Sequence, residues 1–302
     1  MLNRVDVLEI SNYLKLEYTG SNRVITNVFG IAHLKKNSLS FINRKGYTED
    51  ISVGGLEIVN DEYDIQKESK NSYIISENPR LDFVKIFNNF FKPRNEIKIS
   101  HSIVFGENSK IGKNVTIGEY CVIGDNVIIG DDTILNNHVV IEANTIIGDN
   151  CYIKSGAIIG EDGFGFERDE NNIPLRFPHI GNVVIGNNVE IGAKTTIARG
   201  ALESTIIKDN VKINDQVHIA HNTVIDEKTL IAGCVNISGS VFIGKECWIS
   251  SNSTIKDGVS IGNNAFIGIA SIITKNIKDN EKTATISNLS YKDIVKYKKL
   301  VK

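Results

Sequence analysis

The sequence predicts a left-handed parallel β-helix, a solenoid in which three short strands make each coil. The first observation is an aliphatic residue at every sixth position, unbroken from Ile111 to Ile159 and again from Ile207 to Ile273. The second is the frequency of Gly, Asn and Asp between these positions, since those residues tolerate tight corners. A period of six excludes an α-helix, whose apolar stripe recurs at about 3.6 residues. A β-sandwich with coincidental spacing is the alternative, and the two long runs in phase disfavour it.

The flanks do not follow the repeat, so we predict three parts. Residues 1–98 form a small α/β domain, because short apolar segments resemble strands and Asn78-Pro79 resembles the start of a capped amphipathic helix. Residues 99–278 form the β-helix, and residues 279–302 form a tail with one short helix. Two interruptions of the repeat, an extruded loop at 160–182 and four extra residues at 198–203, are the predicted places for binding groups.

Composition limits the function. With 34 Lys and Arg against 36 Asp and Glu, the formal net charge is −2, which gives no electrostatic reason to expect nucleic acid or an anionic membrane as partner. No apolar run approaches the roughly 18 residues of a transmembrane helix, and the start shows no signal peptide. The four cysteines lack CxxC spacing, so they predict reduced, mostly buried thiols in a cytoplasmic protein.

The repeat also predicts which side chains stack. Three hexapeptides make one coil, so equivalent positions in neighbouring coils lie at the parallel-strand spacing of about 4.8 Å. Corrected for the four inserted residues, this places Arg199, His221 and Gly239 in one column. A histidine can act as general base, a glycine amide can donate to an oxyanion, and an arginine would favour the neutral histidine. The alternatives are an ordinary corner histidine and a zinc site, for which His218 and His221 have the wrong separation on one strand.

Several motifs then resemble one known family, the UDP-3-O-acylglucosamine N-acyltransferases of lipid A biosynthesis (the LpxD family), over roughly residues 3–278. The stretches that carry the resemblance are Gly160-Glu161-Asp162-Gly163-Phe164-Gly165-Phe166, Pro178-His179-Ile180-Gly181, Val189-Glu190-Ile191-Gly192-Ala193, Thr195-Thr196-Ile197-Ala198-Arg199-Gly200-Ala201-Leu202 and Ile219-Ala220-His221-Asn222.

The resemblance implies a homotrimer with active sites between neighbouring helices and no tightly bound cofactor. Its donor is a phosphopantetheine thioester, carried by acyl carrier protein or coenzyme A, and its acceptor is a UDP-linked amino sugar. His221 is then the general base and Gly239 the oxyanion donor, with Arg199 in support. The implied substrate-binding residues are Phe41, Asn43 and Tyr47 for the uracil, and His179, Asn214, Asp215, Gln216 and His218 for the acceptor.

The sequence departs from this family in ways that leave alternatives open. Asn214-Asp215 reverses the usual order before Gln216, a second histidine is absent near Asp257-Gly258, and the C-terminal helical extension is short. The coil at 267–275 resembles coenzyme A-dependent sugar acetyltransferases. The alternatives are therefore a short-chain, acetyl-coenzyme A-dependent nucleotide-sugar N-acetyltransferase for O-antigen or capsule sugars, a non-enzymatic β-helix scaffold, and a zinc enzyme resembling carbonic anhydrase.

Overall fold

The computed structural model describes residues 4–43, 52–65, 68–92 and 98–284. The chain separates into two compact units, Met1–Asn95 and Glu96–Lys302. The short helix predicted after residue 290 lies outside the described residues. In the part of the chain that is described, no helix has the length and apolar character needed to cross a membrane.

The first unit is built on a five-stranded sheet. Its strands, in spatial order, are Tyr18–Thr19, Ser72–Ile75, Leu56–Val59, Ser38–Phe41 and Asn27–Val28. A separate antiparallel pair joins Val5–Asp6 to Val24–Ile25. The helical segments are Val7–Leu14, a 3₁₀ turn at Ile31–His33, Pro79–Ile86 and a π-helical turn at Phe87–Phe91.

The second helix of this unit begins where the sequence predicts. The Asn78 side chain accepts a hydrogen bond from the backbone N–H of Leu81, and Pro79 occupies the first turn, where its missing N–H costs nothing. The helix buries Ile86 in a core that includes Leu39, Leu56 and Ile74.

The second unit is a left-handed parallel β-helix, so the predicted fold is confirmed. Its first sheet contains Val104–Phe105, Val122–Ile123, Val140–Ile141, Ile158–Glu161, Thr196–Ala198, His218–Ile219, Asn236–Ile237, Thr254–Ile255 and Ile272–Ile273. Its second sheet contains Lys110–Ile111, Ile128–Ile129, Ile146–Ile147, Val183–Ile185, Thr205–Ile207, Val224–Ile225, Phe242–Ile243 and Ser260–Ile261. Its third sheet contains Thr116–Ile117, Ile134–Leu135, Tyr152–Ile153, Glu190–Ile191, Lys212–Ile213, Leu230–Ile231, Trp248–Ile249 and Phe266–Ile267.

The six-residue repeat places one aliphatic side chain per strand inside the solenoid. Ile219 pairs with Ile237 and Ile237 with Ile255, each one coil further on, and all three are fully buried. Full burial of one such side chain contributes about 1.5–3 kcal/mol, so the column is the main source of stability. Three of the four cysteines lie in the same core and one, Cys234, is exposed; all four are free thiols.

Corners between the sheets are held by a ladder of side chains. At nine of them the side-chain oxygen of an Asp or Asn accepts a hydrogen bond from the backbone N–H of the equivalent residue one coil earlier, as Asn263 does from Lys245. These nine hydrogen bonds form the ladder. The residue that follows at each corner adopts positive φ, and asparagine is the commonest of these residues because it tolerates that region better than most side chains.

Both interruptions of the repeat leave the register of the second sheet intact, whereas the first sheet has a register shift between Ile159 and Glu161. Ile147 pairs with Ile185, so the second sheet continues without a shift on the far side of the extruded loop. Ile185 pairs in turn with Ile207, so the shorter insertion is also accommodated outside the sheet. The longer loop is not irregular throughout, because Phe166–Arg168 and Pro174–Arg176 pair as an antiparallel hairpin.

Candidate active site

The corner between the first and second sheets holds His221. Gly239 occupies the same position one coil later, because Ile219 and Ile237 pair in register. A Cβ on Gly239 would lie 2.7 Å from Cε1 and 2.8 Å from Nε2 of His221. Any residue other than glycine at position 239 would therefore displace the imidazole of His221. The stacking of His221 on Gly239 that the spacing predicts is what the structure shows.

The tautomer of His221 follows from its neighbour Asn222. The Asn222 Oδ1 atom accepts a hydrogen bond from the backbone N–H of Ala201, at 3.0 Å, which identifies it as oxygen. The same Oδ1 lies 3.1 Å from His221 Nδ1. Since this oxygen can only accept, Nδ1 must carry a proton, and in the neutral ring Nε2 is the nitrogen with the lone pair. The neutral form of His221 therefore carries its lone pair on Nε2, beside Gly239, which is the tautomer that a general base at this position requires.

The long loop returns a second imidazole to this corner. His179 is buried, its Nδ1 lies 3.0 Å from the carbonyl oxygen of Phe177, and its ring meets that of His221 edge-on at 5.6 Å. Its Nε2 is buried without a partner among the described residues. Gly163 makes room for both rings, because a Cβ there would lie 2.9 Å from His179 Nε2 and 3.0 Å from His221 Cδ2. The sequence indicated His179 as a binding residue but not this contact.

The spacing predicts that the Arg199 guanidinium lies near His221 and favours the neutral imidazole, but the side chain points elsewhere. Its Nε donates to the carbonyl oxygen of Gly160 at 2.6 Å, and its Nη2 donates to that of Ala143 at 3.1 Å. Its Nε also lies 3.8 Å from a carboxylate oxygen of Asp162. The guanidinium is therefore turned toward the preceding coils, where it ties the base of the long loop to the solenoid. The spacing predicted its backbone position but not the direction of its side chain.

His218 lies on the outer face of the strand that leads to His221. Its Nδ1 is 2.8 Å from the hydroxyl of Thr196, one coil earlier. The neighbouring coils remove part of the water around the ring, and this desolvation lowers the pKa of His218. The side chain remains exposed, so it is available to a ligand on this face.

Asn214, Asp215 and Gln216 lie at the preceding corner, at the other end of the strand from His221. Asp215 caps the N–H of Ala193 at 2.8 Å as part of the ladder, and Lys154 lies 3.6 Å from it. Within one chain the structure therefore does not bring these three residues to His221.

The candidates for the nucleotide base lie in the first unit. Phe41 is half-buried and packs on Phe83 with ring centroids 4.8 Å apart, as a core aromatic does. Asn43 is exposed, and Tyr47 lies outside the described residues.

Two family models match the β-helix. Residues 102–136 and 126–161 match the bacterial transferase hexapeptide (six repeats), and residues 240–275 match the hexapeptide repeat of succinyl-transferase. Among solved structures, UDP-N-acetylglucosamine acyltransferase from Francisella novicida is 30% identical with a TM-score of 0.58, covering 63% of this chain and 67% of that one. LpxA from Acinetobacter baumannii is 26% identical with a TM-score of 0.56, covering 68% and 78%.

Higher identity is found over a shorter stretch. UDP-3-O-acylglucosamine N-acyltransferase from Dechloromonas aromatica is 58% identical over 64 residues, which is 21% of this chain and 18% of that protein. Its counterpart from Coxiella burnetii (strain Dugway 5J108-111) is 52% identical over 66 residues, 22% and 19% respectively. The chain thus matches about a fifth of the length of these curated relatives.

The fold, the repeats and the corner histidine define a hexapeptide-repeat transferase. Within that class, the matching stretch is similar to the UDP-3-O-acylglucosamine N-acyltransferases, the LpxD family.

Proposed function

We propose that this chain is an N-acyltransferase that moves an acyl group from a thioester donor to the amine of a UDP-linked amino sugar. The product would serve lipid A or a related surface polysaccharide. The observation that carries the proposal is the hydrogen bond that fixes the tautomer of neutral His221, whose Nε2 lone pair lies beside Gly239 in a partly exposed corner. The names of the similar proteins support the UDP-sugar acceptor and acyl transfer.

In this mechanism His221 Nε2 removes a proton from the acceptor nitrogen as that nitrogen attacks the thioester carbonyl carbon. The proton on Nδ1 stays hydrogen-bonded to Asn222 Oδ1, which holds the ring and stabilises the imidazolium. The backbone N–H of Gly239 donates to no described residue, so it is free to donate to the oxyanion. Collapse of the intermediate breaks the C–S bond, and the imidazolium returns its proton to the departing sulfur. No covalent acyl-enzyme is needed.

The donor and the assembly belong to the proposal. The thioester is carried by phosphopantetheine of either acyl carrier protein or coenzyme A. A homotrimer in the cytoplasm would bring a neighbouring chain's corner to His221, which fits the position of Asn214, Asp215 and Gln216 away from it in one chain. His218 and His179 would contact the acceptor, Arg199 would hold the long loop, and Phe41, Asn43 and Tyr47 would contact the uracil.

The test is product mass with purified full-length protein. UDP-glucosamine and its 3-O-acylated form are offered with acyl carrier protein or coenzyme A carrying acyl chains from acetyl to long 3-hydroxyacyl. We expect the acceptor to gain one acyl group on nitrogen, and the preferred donor separates a lipid A enzyme from a short-chain acetyltransferase. His221→Ala should reduce the rate by about 10²–10⁴-fold.

His101→Ala is the matched control, because His101 is an exposed turn residue and should tolerate the change. Full activity of His221→Ala would remove the catalytic assignment. The absence of acyl transfer from every donor tested would favour a scaffold instead. A zinc site receives no support from the two close histidines, because His218 faces Thr196 and His221 faces Asn222.

A further inference from the structure

The space beside Gly239 is bounded on two sides by hydrogen-bond acceptors. Measured from the point where a Cβ would stand on Gly239, His221 Nε2 is 2.8 Å away and Asp257 Oδ1 is 2.9 Å away. Asp257 holds the same corner position one coil after Gly239, because Ile237 and Ile255 pair in register. An imidazole lone pair and a carboxylate therefore converge on one small volume that only a glycine leaves open.

The carboxylate of Asp257 takes no part in the hydrogen bonds and ion pairs that hold the described coils together. Two other corner aspartates are engaged, since Asp215 accepts from the N–H of Ala193 and Asp226 forms an ion pair with Lys208. Asp257 would cap the N–H of Gly239 if it followed the ladder, yet it makes no hydrogen bond or ion pair with any residue in the described ranges. Its side chain is exposed and available to a ligand.

The donor that fits between two acceptors needs at least two N–H or O–H bonds. A hydroxyl has only one, so if it donates to His221 Nε2 it turns a lone pair toward the carboxylate of Asp257, which is repulsive. An amine has two N–H bonds and keeps its lone pair for attack, and an ammonium has three N–H bonds and a charge opposite to the carboxylate. The corner is thus built for nitrogen rather than oxygen.

From this geometry we propose that Asp257 binds the acceptor nitrogen and makes the corner select amines over hydroxyls. The inference rests on the proposed acyl transfer and adds the residue that decides its acceptor class. The nitrogen of a bound ammonium loses two protons during the reaction. One leaves to solvent on the Asp257 side before attack, and the other passes through His221 Nε2 to the sulfur as the N–C bond forms and the C–S bond breaks.

The experiment compares two ligands that differ only at the sugar's 2-position, UDP-glucosamine with its amine and UDP-glucose with its hydroxyl. Binding of each is measured by calorimetry on the full-length chain, for the wild type and for Asp257→Asn, which keeps the shape but removes the charge. We expect the wild type to bind the amine at least about tenfold more tightly than the hydroxyl. Asp257→Asn should reduce this ratio to near one and raise the KM for the amine acceptor.

Asp132→Asn is the matched control. Asp132 is an exposed corner aspartate between the second and third sheets, where its Oδ1 accepts from Asn114, and its loss should leave the binding ratio unchanged. An Asp257→Asn protein with the wild-type ratio and wild-type KM would overturn the assignment while leaving acyl transfer standing. A wild type that binds amine and hydroxyl equally would also overturn it. Failure of the wild type to acylate any amine refutes the proposed function itself.

Discussion

Gly239→Ala tests the geometry of the corner with one methyl group. The new Cβ would lie 2.7 Å and 2.8 Å from the imidazole of His221 and 2.9 Å from Asp257 Oδ1, well inside normal contact. Gly239 does not have positive φ, so alanine fits its backbone without strain. The atoms that must move are the ends of two side chains, so the fold should survive and the imidazole should not keep its place.

The size of the effect follows from these distances. Optimal carbon contacts are about 3.5–4.0 Å, so the His221 ring must move by roughly half an ångström or more. A misplacement of about 1 Å of a reacting group can cost on the order of 100-fold. We therefore expect kcat to fall by roughly 10- to 100-fold with little change in melting temperature. Alanine keeps the backbone N–H, so a loss does not report the oxyanion donor. It reports the position of the base together with the space between His221 and Asp257 that the acceptor nitrogen would occupy.

Acyl transfer is followed by release of the free thiol, together with thermal unfolding of the same samples. Gly233→Ala is the control, since Gly233 occupies the corresponding place at another corner of the same coil and its Cβ would lie 3.3 Å from the nearest atom, the carbonyl oxygen of Asp215. If Gly239→Ala retained the wild-type kcat, the imidazole would not need its observed position, and the assignment of His221 Nε2 as base would fail.

Three further outcomes are expected. Asn222→Ala should lower kcat by at least about tenfold because His221 loses the acceptor that fixes its tautomer, whereas Asn222→Asp, which retains it, should keep most of the activity in the same assay. Ellman titration of the native protein should show one rapidly reacting thiol, Cys234, and four after denaturation, since burial raises the pKa of the other three; four fast thiols would contradict their burial. Hydrogen bonds from the Ser100 and Ser102 hydroxyls lower the pKa of Glu119 to about 2, so its stabilising effect should be complete above about 4.5 and lost as pH falls toward 2; equal acid unfolding of wild type and Glu119→Gln would refute this.

The solenoid was predictable because its signal is periodic and local. Every sixth residue from Ile207 to Ile273 reports the same buried environment, and register errors would turn this whole set outward. The six-residue repeat also predicted correctly that Gly239 stacks on His221, because both residues lie in the unbroken run from Ile207 to Ile273.

The site was predicted less completely where the chain departs from the six-residue repeat. His179 contacts His221 because the extruded loop at 160–182 folds back over the corner. The six-residue spacing does not predict the course of that loop. Arg199 follows the strand Thr196–Ala198, whose pairing with Ile158–Glu161 shifts register between Ile159 and Glu161. Its side chain donates to the carbonyl oxygens of Gly160 and Ala143, which the repeat does not predict. The hairpin within the long loop was not predicted, because the turn from Asp169 to Asn172 that closes it is too short to be distinguished in the sequence from irregular loop.

The ladder of corner side chains has a consequence for heat resistance. At the His221 corner it is interrupted, because Gly239 has no side chain to accept from the N–H of His221, which donates to no residue that the structure describes. An asparagine at position 239 would restore the ladder chemistry but collide with the imidazole, so a complete ladder and a functional histidine exclude each other here. Selection for thermal tolerance would favour closing this gap and selection for turnover would keep it open, so stability and activity make opposite demands on position 239.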